Sequence, residues 1–132
     1  MNITQLNHVA IHVRDLERSV DFYRLVLGLA PMERPAFEFP GAWFRLGLDQ
    51  ELHLICRSGD DEVAAPPRER HYALAVDDIE AAAADLRRAG VDFQPPKRRP
   101  DGAIQIFLRD PDGHVIELCQ LHRRKRGQAP CS

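Results

Sequence analysis

Residues 8–17 read His-Val-Ala-Ile-His-Val-Arg-Asp-Leu-Glu, and residues 71–80 read His-Tyr-Ala-Leu-Ala-Val-Asp-Asp-Ile-Glu. Five of these ten positions are identical: His8/His71, Ala10/Ala73, Val13/Val76, Asp15/Asp78 and Glu17/Glu80. The pairs Val9/Tyr72, Ile11/Leu74 and Leu16/Ile79 stay apolar. The match runs on to Gly28 and Gly90 after one deletion. It returns where Glu-Leu-His-Leu-Ile (51–55) faces Val-Ile-Glu-Leu-Cys (115–119), at an offset of 64. A period of about 63 residues that occurs only twice is too long for a solenoid unit. It marks a duplicated module.

Each copy predicts the same order of elements. An alternating strand opens it, at residues 6–13 and 70–76, with Val9, Ile11 and Val13 on one face and His8, Ala10 and His12 on the other. Asp15 and Asp78 then stand where a helix N-cap belongs. Leu16, Val20, Tyr23 and Leu27 follow at helical spacing up to Gly28, and Ile79, Ala83 and Leu86 do so up to Gly90. Three shorter extended stretches complete each copy. In the first they are residues 32–38, 42–47 and 51–57. In the second they are 91–94, 104–109 and 114–121, with Pro111-Asp112-Gly113 as the last turn. The fold class is therefore α+β, two βαβββ modules over about 5–57 and 69–121. Helices are expected on the outer face of a concave, half-barrel sheet. Residues 1–121 form one domain, and residues 122–132 a basic flexible tail.

Composition supports that reading and narrows the function. The 132 residues are 44% hydrophobic and 29% charged, which suits one globular domain. No apolar run approaches the ~20 residues that span a bilayer. Residues 1–10 show no secretory n-region and h-region, so the expected location is the cytoplasm. The net charge of −2 conceals a tail carrying Arg123, Arg124, Lys125 and Arg126 without an acid, so the body is acidic. An acidic body argues against a nucleic-acid footprint, and no membrane partner is expected. Cys56, Cys119 and Cys131 are odd in number, lack CxxC spacing and are expected as reduced thiols.

The strand face away from the helices carries the chemistry. His8, His12 and His71 lie there among small alanines, and His53 in one copy corresponds to Glu117 in the other. A lone strand histidine is ordinarily a hydrogen-bonded packing residue. Metal-competent side chains at repeat-equivalent positions, His8 and His53 in one copy, His71 and Glu117 in the other, point instead to a divalent transition metal. Three imidazoles and one carboxylate suit zinc, nickel, iron or manganese. His12 has Ala75 as its counterpart and stays outside the metal set. Glu51 shares the strand face of His53 and is a fallback ligand, although its counterpart is Val115. His114 and His122 lack repeat support and are expected on the surface. Phe37, Phe39, Trp43, Phe44 and Arg45 would supply pocket walls, as packing or as substrate contacts. Lys97, Arg98 and Arg99 flank a Pro-rich loop that either steers an anionic substrate or is simply solvated.

The stretch 8–29, with its Phe-Tyr and Leu-Gly-Leu, and Asp-Pro-Asp-Gly-His-Val-Ile-Glu-Leu at 110–118 resemble the vicinal oxygen chelate superfamily. That group includes glyoxalase I, fosfomycin resistance enzymes, bleomycin resistance proteins, extradiol dioxygenases and methylmalonyl-CoA epimerase. The resemblance covers residues 5–121 and marks the fold more than the reaction. It implies that His8, His71 and Glu117 are metal ligands, as in the His-His-Glu set of the fosfomycin enzymes and the dioxygenases. The fourth family position falls on His53, where glyoxalase I usually has a glutamate implicated in moving the substrate proton.

The expected function is thus a metal-dependent enzyme acting on a small substrate chelated through vicinal oxygens, a lyase or isomerase of glyoxalase type. The alternatives are a fosfomycin-type thiol transferase, an extradiol dioxygenase, or a metal-free binder of bleomycin-resistance type. His53 and Glu117 are the expected catalytic residues, and Trp43, Arg45, Phe37 and His12 the expected substrate contacts. A homodimer is expected from the open strand edges of two half-sheets.

Overall fold

A computed structural model describes residues 1–57 and 70–122. The tail at 123–132, with Arg123 to Arg126 and Cys131, lies outside the described residues. The chain divides into two compact units, residues 1–70 with 109–115, and residues 71–108 with 116–132.

In the first unit β1 (His8–Val13) leads to helix α1 (Leu16–Asp21), then β2 (Ala30–Met32), β3 (Gly41–Leu46) and β4 (Gln50–Cys56). The sheet order is β1-β4-β3-β2, with β1 parallel to β4 and the other pairs antiparallel. The expected alternation holds in β1. Ile11 and Val13 are buried, while His8, Ala10 and His12 are exposed. Phe44, Leu52 and Leu54 are fully buried, and α1 packs on β3 and β4. Burial of side chains this size contributes roughly 1.5–3 kcal/mol each.

The second unit repeats the plan with β5 (Tyr72–Ala75), α2 (Ile79–Arg88), β6 (Lys97–Arg98), β7 (Ile104–Arg109) and β8 (Val115–Gln120). Its order is β5-β8-β7-β6, and β5 is parallel to β8. Ile79, Ala83 and Leu86 of α2 are buried, as the sequence spacing requires.

Both N-caps form. Asp15 accepts from Arg18 N, and Asp78 accepts from Glu80 N and Ala81 N. Gln120 Oε1 takes the Ile79 amide at 2.7 Å, so three of the free donors of α2 are satisfied by side chains. Gly28 and Gly90 end the two helical segments at φ 68° and 69°, values that an L side chain resists.

Three details depart from expectation. The first helical segment does not stay α-helical up to Leu27. Residues Phe22–Val26 form a π-turn, with Leu27 N bonded to Phe22 O, and the added residue lets both Phe22 and Tyr23 point inward. The stretch 32–38 is not a strand. β2 stops at Met32, because Pro35 has no amide and Phe37 N turns back onto Pro35 O. The stretch 91–94 is reduced to a bridge between Phe93 and Leu108. Pro95 and Pro96 interrupt the ladder there, and it resumes at Lys97–Arg98, inside what reads as a loop.

The Pro111-Asp112-Gly113 turn forms as expected, and its carboxylates anchor the first unit. Asp110 Oδ1 accepts from the amides of Asp112 and His114, both at 2.9 Å. Its Oδ2 accepts from the buried Tyr23 hydroxyl at 2.6 Å. Asp112 takes the Arg14 amide and the Ser19 hydroxyl. Removing the phenolic donor leaves a buried carboxylate oxygen short of a partner. Tyr23→Phe is expected to lower stability by about 1.5–3 kcal/mol, the range for hydrogen bonds to charged groups. Urea denaturation monitored by circular dichroism checks this, and an unchanged midpoint would count against the role given to that bond.

Candidate functional site

Strand register brings the first unit's candidates together. In β1–β4 the parallel pairing sets His8 beside Glu51 and Ala10 beside His53. In β3–β4 the antiparallel pairing sets Trp43 beside His53 and Arg45 beside Glu51. Two rows therefore cross one face of the sheet: His8, Glu51, Arg45, and Ala10, His53, Trp43. The small Ala10 leaves room for the His8 ring to lean over its neighbour. The result is a stack with His53 in the middle, 3.9 Å from Trp43 at an interplanar angle of 1°, and 4.3 Å from His8 at 15°. Phe37 extends the apolar surface from Trp43 at 6.0 Å and stacks on Phe39 at 5.4 Å.

The polar contacts orient these rings. Asn7 Oδ1 lies 2.8 Å from His8 Nδ1 and can only accept, so His8 keeps its lone pair at Nε2. Glu51 Oε2 lies 2.6 Å from His53 Nε2. A carboxylate on that nitrogen makes it the donor and leaves the His53 lone pair at Nδ1. Glu51, a fallback in the sequence, is thus joined directly to His53. The two residues are two apart on one strand, so period-two alternation places them on one face.

The expected substrate residues separate. Phe37 and Trp43 join the ring stack. Arg45 shares the face, and its guanidinium reaches Leu48 O at 3.3 Å. His12 sits one step further along β1, opposite Ile55, with its side chain exposed. Its carbonyl accepts from His114 Nε2 at 2.6 Å, so His114 is half-buried and engaged rather than a free surface residue.

Sequence reading missed the role of Arg34. Its guanidinium lies over Phe37 at 4.9 Å and over Phe39 at 4.8 Å, and it donates to Phe39 O at 2.8 Å. A Cβ on Gly41 would clash with Leu54 O and stand 3.0 Å from Arg34 Nε, so glycine there admits the Leu54 carbonyl and eases the passage of the arginine.

The second unit carries the counterpart pair. Register sets Ala73 beside Glu117, as Ala10 stands beside His53, which is the equivalence that the repeat implies. Glu117 is only 4% exposed. Its Oε2 lies 3.1 Å from His71 Nε2, and its Oε1 lies 3.4 Å from Arg99 Nη1. Phe107 meets the His71 ring edge-on at 5.4 Å. Arg99 is not a simple solvated loop cation. Asp101 holds it through two oxygens, and their hydrogen bond raises the guanidinium pKa and depresses that of the Asp101 carboxyl. Burial, reinforced by Glu117, pushes the Cys119 thiol upward.

The donor types fit a divalent transition metal, since each unit sets an imidazole against a carboxylate on one sheet face. Among the described residues no three His, Cys, Asp or Glu side chains are grouped to hold an ion.

Over residues 5–118 the chain matches the family described as the Glyoxalase/Bleomycin resistance protein/Dioxygenase superfamily. It belongs to that superfamily. It is 31% identical to Glyoxylase I 4 of Arabidopsis thaliana, over 90% of this chain and 72% of that one. It is also 31% identical to the lactoylglutathione lyase of Escherichia coli O157:H7, over 93% of this chain and 97% of that one. Among solved structures it resembles TnmS3, an antibiotic binding protein from Streptomyces sp. CB03234, with a TM-score of 0.75 and 29% identity over 92% of this chain and 99% of that one.

Proposed function

We propose that this protein is a metal-dependent enzyme acting on a small substrate held through two adjacent oxygens, with lyase or isomerase chemistry of glyoxalase type. The observation that carries the reading is the repeated register. His53 beside Ala10 stands with His8 of β1, and Glu117 beside Ala73 stands with His71, the residue just before β5. The likeness to a lactoylglutathione lyase supports it. His8 and His53 of the first unit, and His71 and Glu117 of the second, are the residues that would offer donors to zinc, nickel, iron or manganese. Such an ion, when bound, supplies Lewis-acid stabilisation of oxyanion charge on the substrate.

The chain's own residues do the rest. Asn7 orients His8. Trp43 and Glu51 fix the plane and the donor nitrogen of His53. Trp43 and Phe37 offer an apolar surface to the substrate, and Arg45 offers a positive edge. A glyoxalase-type step takes a proton from one carbon and returns one to its neighbour, so it needs no outside oxidant. His53 has one free lone pair, at Nδ1, which serves a metal or a proton but not both at once. We assign it to the metal. Glu117 is the carboxylate ligand and the group left to take the proton and return it.

The ring stack and the likeness to an antibiotic binding protein favour a second reading, a metal-free binder of bleomycin-resistance type. Elemental analysis of gently purified protein separates the two. One equivalent of transition metal, lost in His8→Ala with the fold retained, is the expected result, and a metal-free wild type with intact fold overturns the enzyme reading. Iron would indicate a dioxygenase, manganese a thiol transferase, and nickel or zinc an isomerase.

The assignment of His53 has its own consequence. Weak turnover of glutathione hemithioacetals is expected from the wild type, rising in His53→Glu. Brisk wild-type turnover that persists in His53→Ala would show that another group moves the proton.

We infer a homodimer, because β2 and β6 end their sheets with open edges among the described residues, and a cytoplasmic location from the sequence alone. Sedimentation equilibrium showing a monomer at every concentration overturns the dimer.

A further inference from the structure

The loop that carries Arg99 is built more tightly than a solvated basic loop requires. Arg99 N donates to Ala103 O at 2.7 Å, and Gly102 N donates to Arg99 O at 3.0 Å, so the backbone closes on itself at both ends. Asp101 sits inside the turn. Its Oδ1 accepts from the Ala103 amide at 3.1 Å and from Arg99 Nε at 3.2 Å, and its Oδ2 takes Arg99 Nη2. The guanidinium is thereby gripped along one edge. Nη1 remains, and it points at Glu117 Oε1, 3.4 Å away, while Glu117 Oε2 faces His71 Nε2.

We propose that Arg99, anchored by Asp101, is a positioning residue for Glu117. It occupies one carboxylate oxygen, so that the other is presented alone and in a fixed direction beside His71. The role rests on the reading of Glu117 as a metal ligand. Arg99 is bent back onto its own turn by Asp101, and its Nη1 faces the buried Glu117 carboxylate at 3.4 Å and Cys119 Sγ at 3.9 Å. That geometry suits an internal strut better than capture of an anionic substrate.

Positioning and plain electrostatics predict opposite signs. A guanidinium near a metal site repels the incoming cation, so a residue acting only through its charge lowers metal affinity. Removing it would then tighten binding. A residue that orients a ligand raises affinity, and losing such a partner typically costs about 10–100-fold.

Zinc affinity measured by competition with a chromophoric chelator decides between them, on the full chain and in four forms. Arg99→Gln is expected to bind zinc at least about 10-fold more weakly than wild type. Asp101→Asn keeps the guanidinium but loosens its grip, and is also expected to weaken binding. Arg99→Lys restores the charge without the two-edged fork and should recover only part of the loss. Equal or tighter binding in Arg99→Gln overturns the proposal. A wild type that takes up no zinc overturns the metal reading and this role with it, an outcome separate from a metal-binding wild type indifferent to Arg99.

A second readout needs no metal. In zinc-free protein the imidazole nitrogen resonances of His71 report its bond to Glu117, and Arg99→Gln is expected to shift them. Unchanged resonances in a folded variant count against the role. Circular dichroism establishes folding, and Asp101→Asn carries the test if Arg99→Gln fails to fold.

Discussion

Parallel pairing of the first strand with the last, made once in each unit, is the constraint on which the rest depends. Parallel neighbours cannot be joined by a tight hairpin, so each module needs a long return, and the helical segment with the two strands after it supplies it. Once β1 lies beside β4, period-two alternation fixes every side chain's face. Leu52 and Leu54 go inward with Ile11 and Val13, while Glu51 and His53 are brought to the face of His8. A slip of one residue would bury His53 and expose Leu52 and Leu54. That loses the burial of two leucines and strands an imidazole, a penalty of several kcal/mol by area alone. The chemistry-bearing register is therefore held by the apolar face, not by the polar groups themselves.

This division of labour made much of the molecule legible. The duplicated opening stretch, the N-caps Asp15 and Asp78 and the glycines that end the helical segments are local signals, and each formed as read. The equivalence of His53 and Glu117 was also visible, since both alanines opposite them occur at matching places in the repeat. The features missed are non-local or depend on missing donors. The π-turn at Phe22–Val26 answers to the burial of Tyr23 and its bond to Asp110, a residue far along the chain. The strand at Lys97–Arg98 was hidden behind Pro95 and Pro96, because proline argues against ladder pairing without excluding its resumption two residues later.

Site residues divide along the same line. His8, His53, His71 and Glu117 could be proposed as a set from period and repeat, and the structure sets His53 beside His8 and Glu117 beside His71. Asn7, Arg34 and Arg99 could not be given their roles, because those depend on where a long or polar side chain ends. Arg34 reaches back over two phenylalanines and passes close to Gly41, whose missing Cβ chiefly makes room for the Leu54 carbonyl. Arg99 meets Glu117 only because its turn is closed by Asp101. Sequence spacing carries no trace of either closure.

The two units treat their donors differently, and the difference bears on His53. In the second unit the carboxylate Glu117 is buried, and a fixed cation stands at its rear oxygen. In the first unit the corresponding position is an imidazole stacked on Trp43 and His8, and the nearby carboxylate, Glu51, bonds to that imidazole. The negative charge that a glutamate at position 53 would carry is thus not removed from the unit but displaced by two residues along the strand. Glu51 polarises Nε2–H, which raises the electron density at Nδ1 and makes that nitrogen a better donor. An imidazole backed by a carboxylate in this way keeps the anionic character of a glutamate at that position close at hand. It also fixes a ring orientation that a lone glutamate, with its three rotatable bonds, would have to hold by other means. The exchange sets a ring held on both faces and at one nitrogen where a glutamate would swing freely.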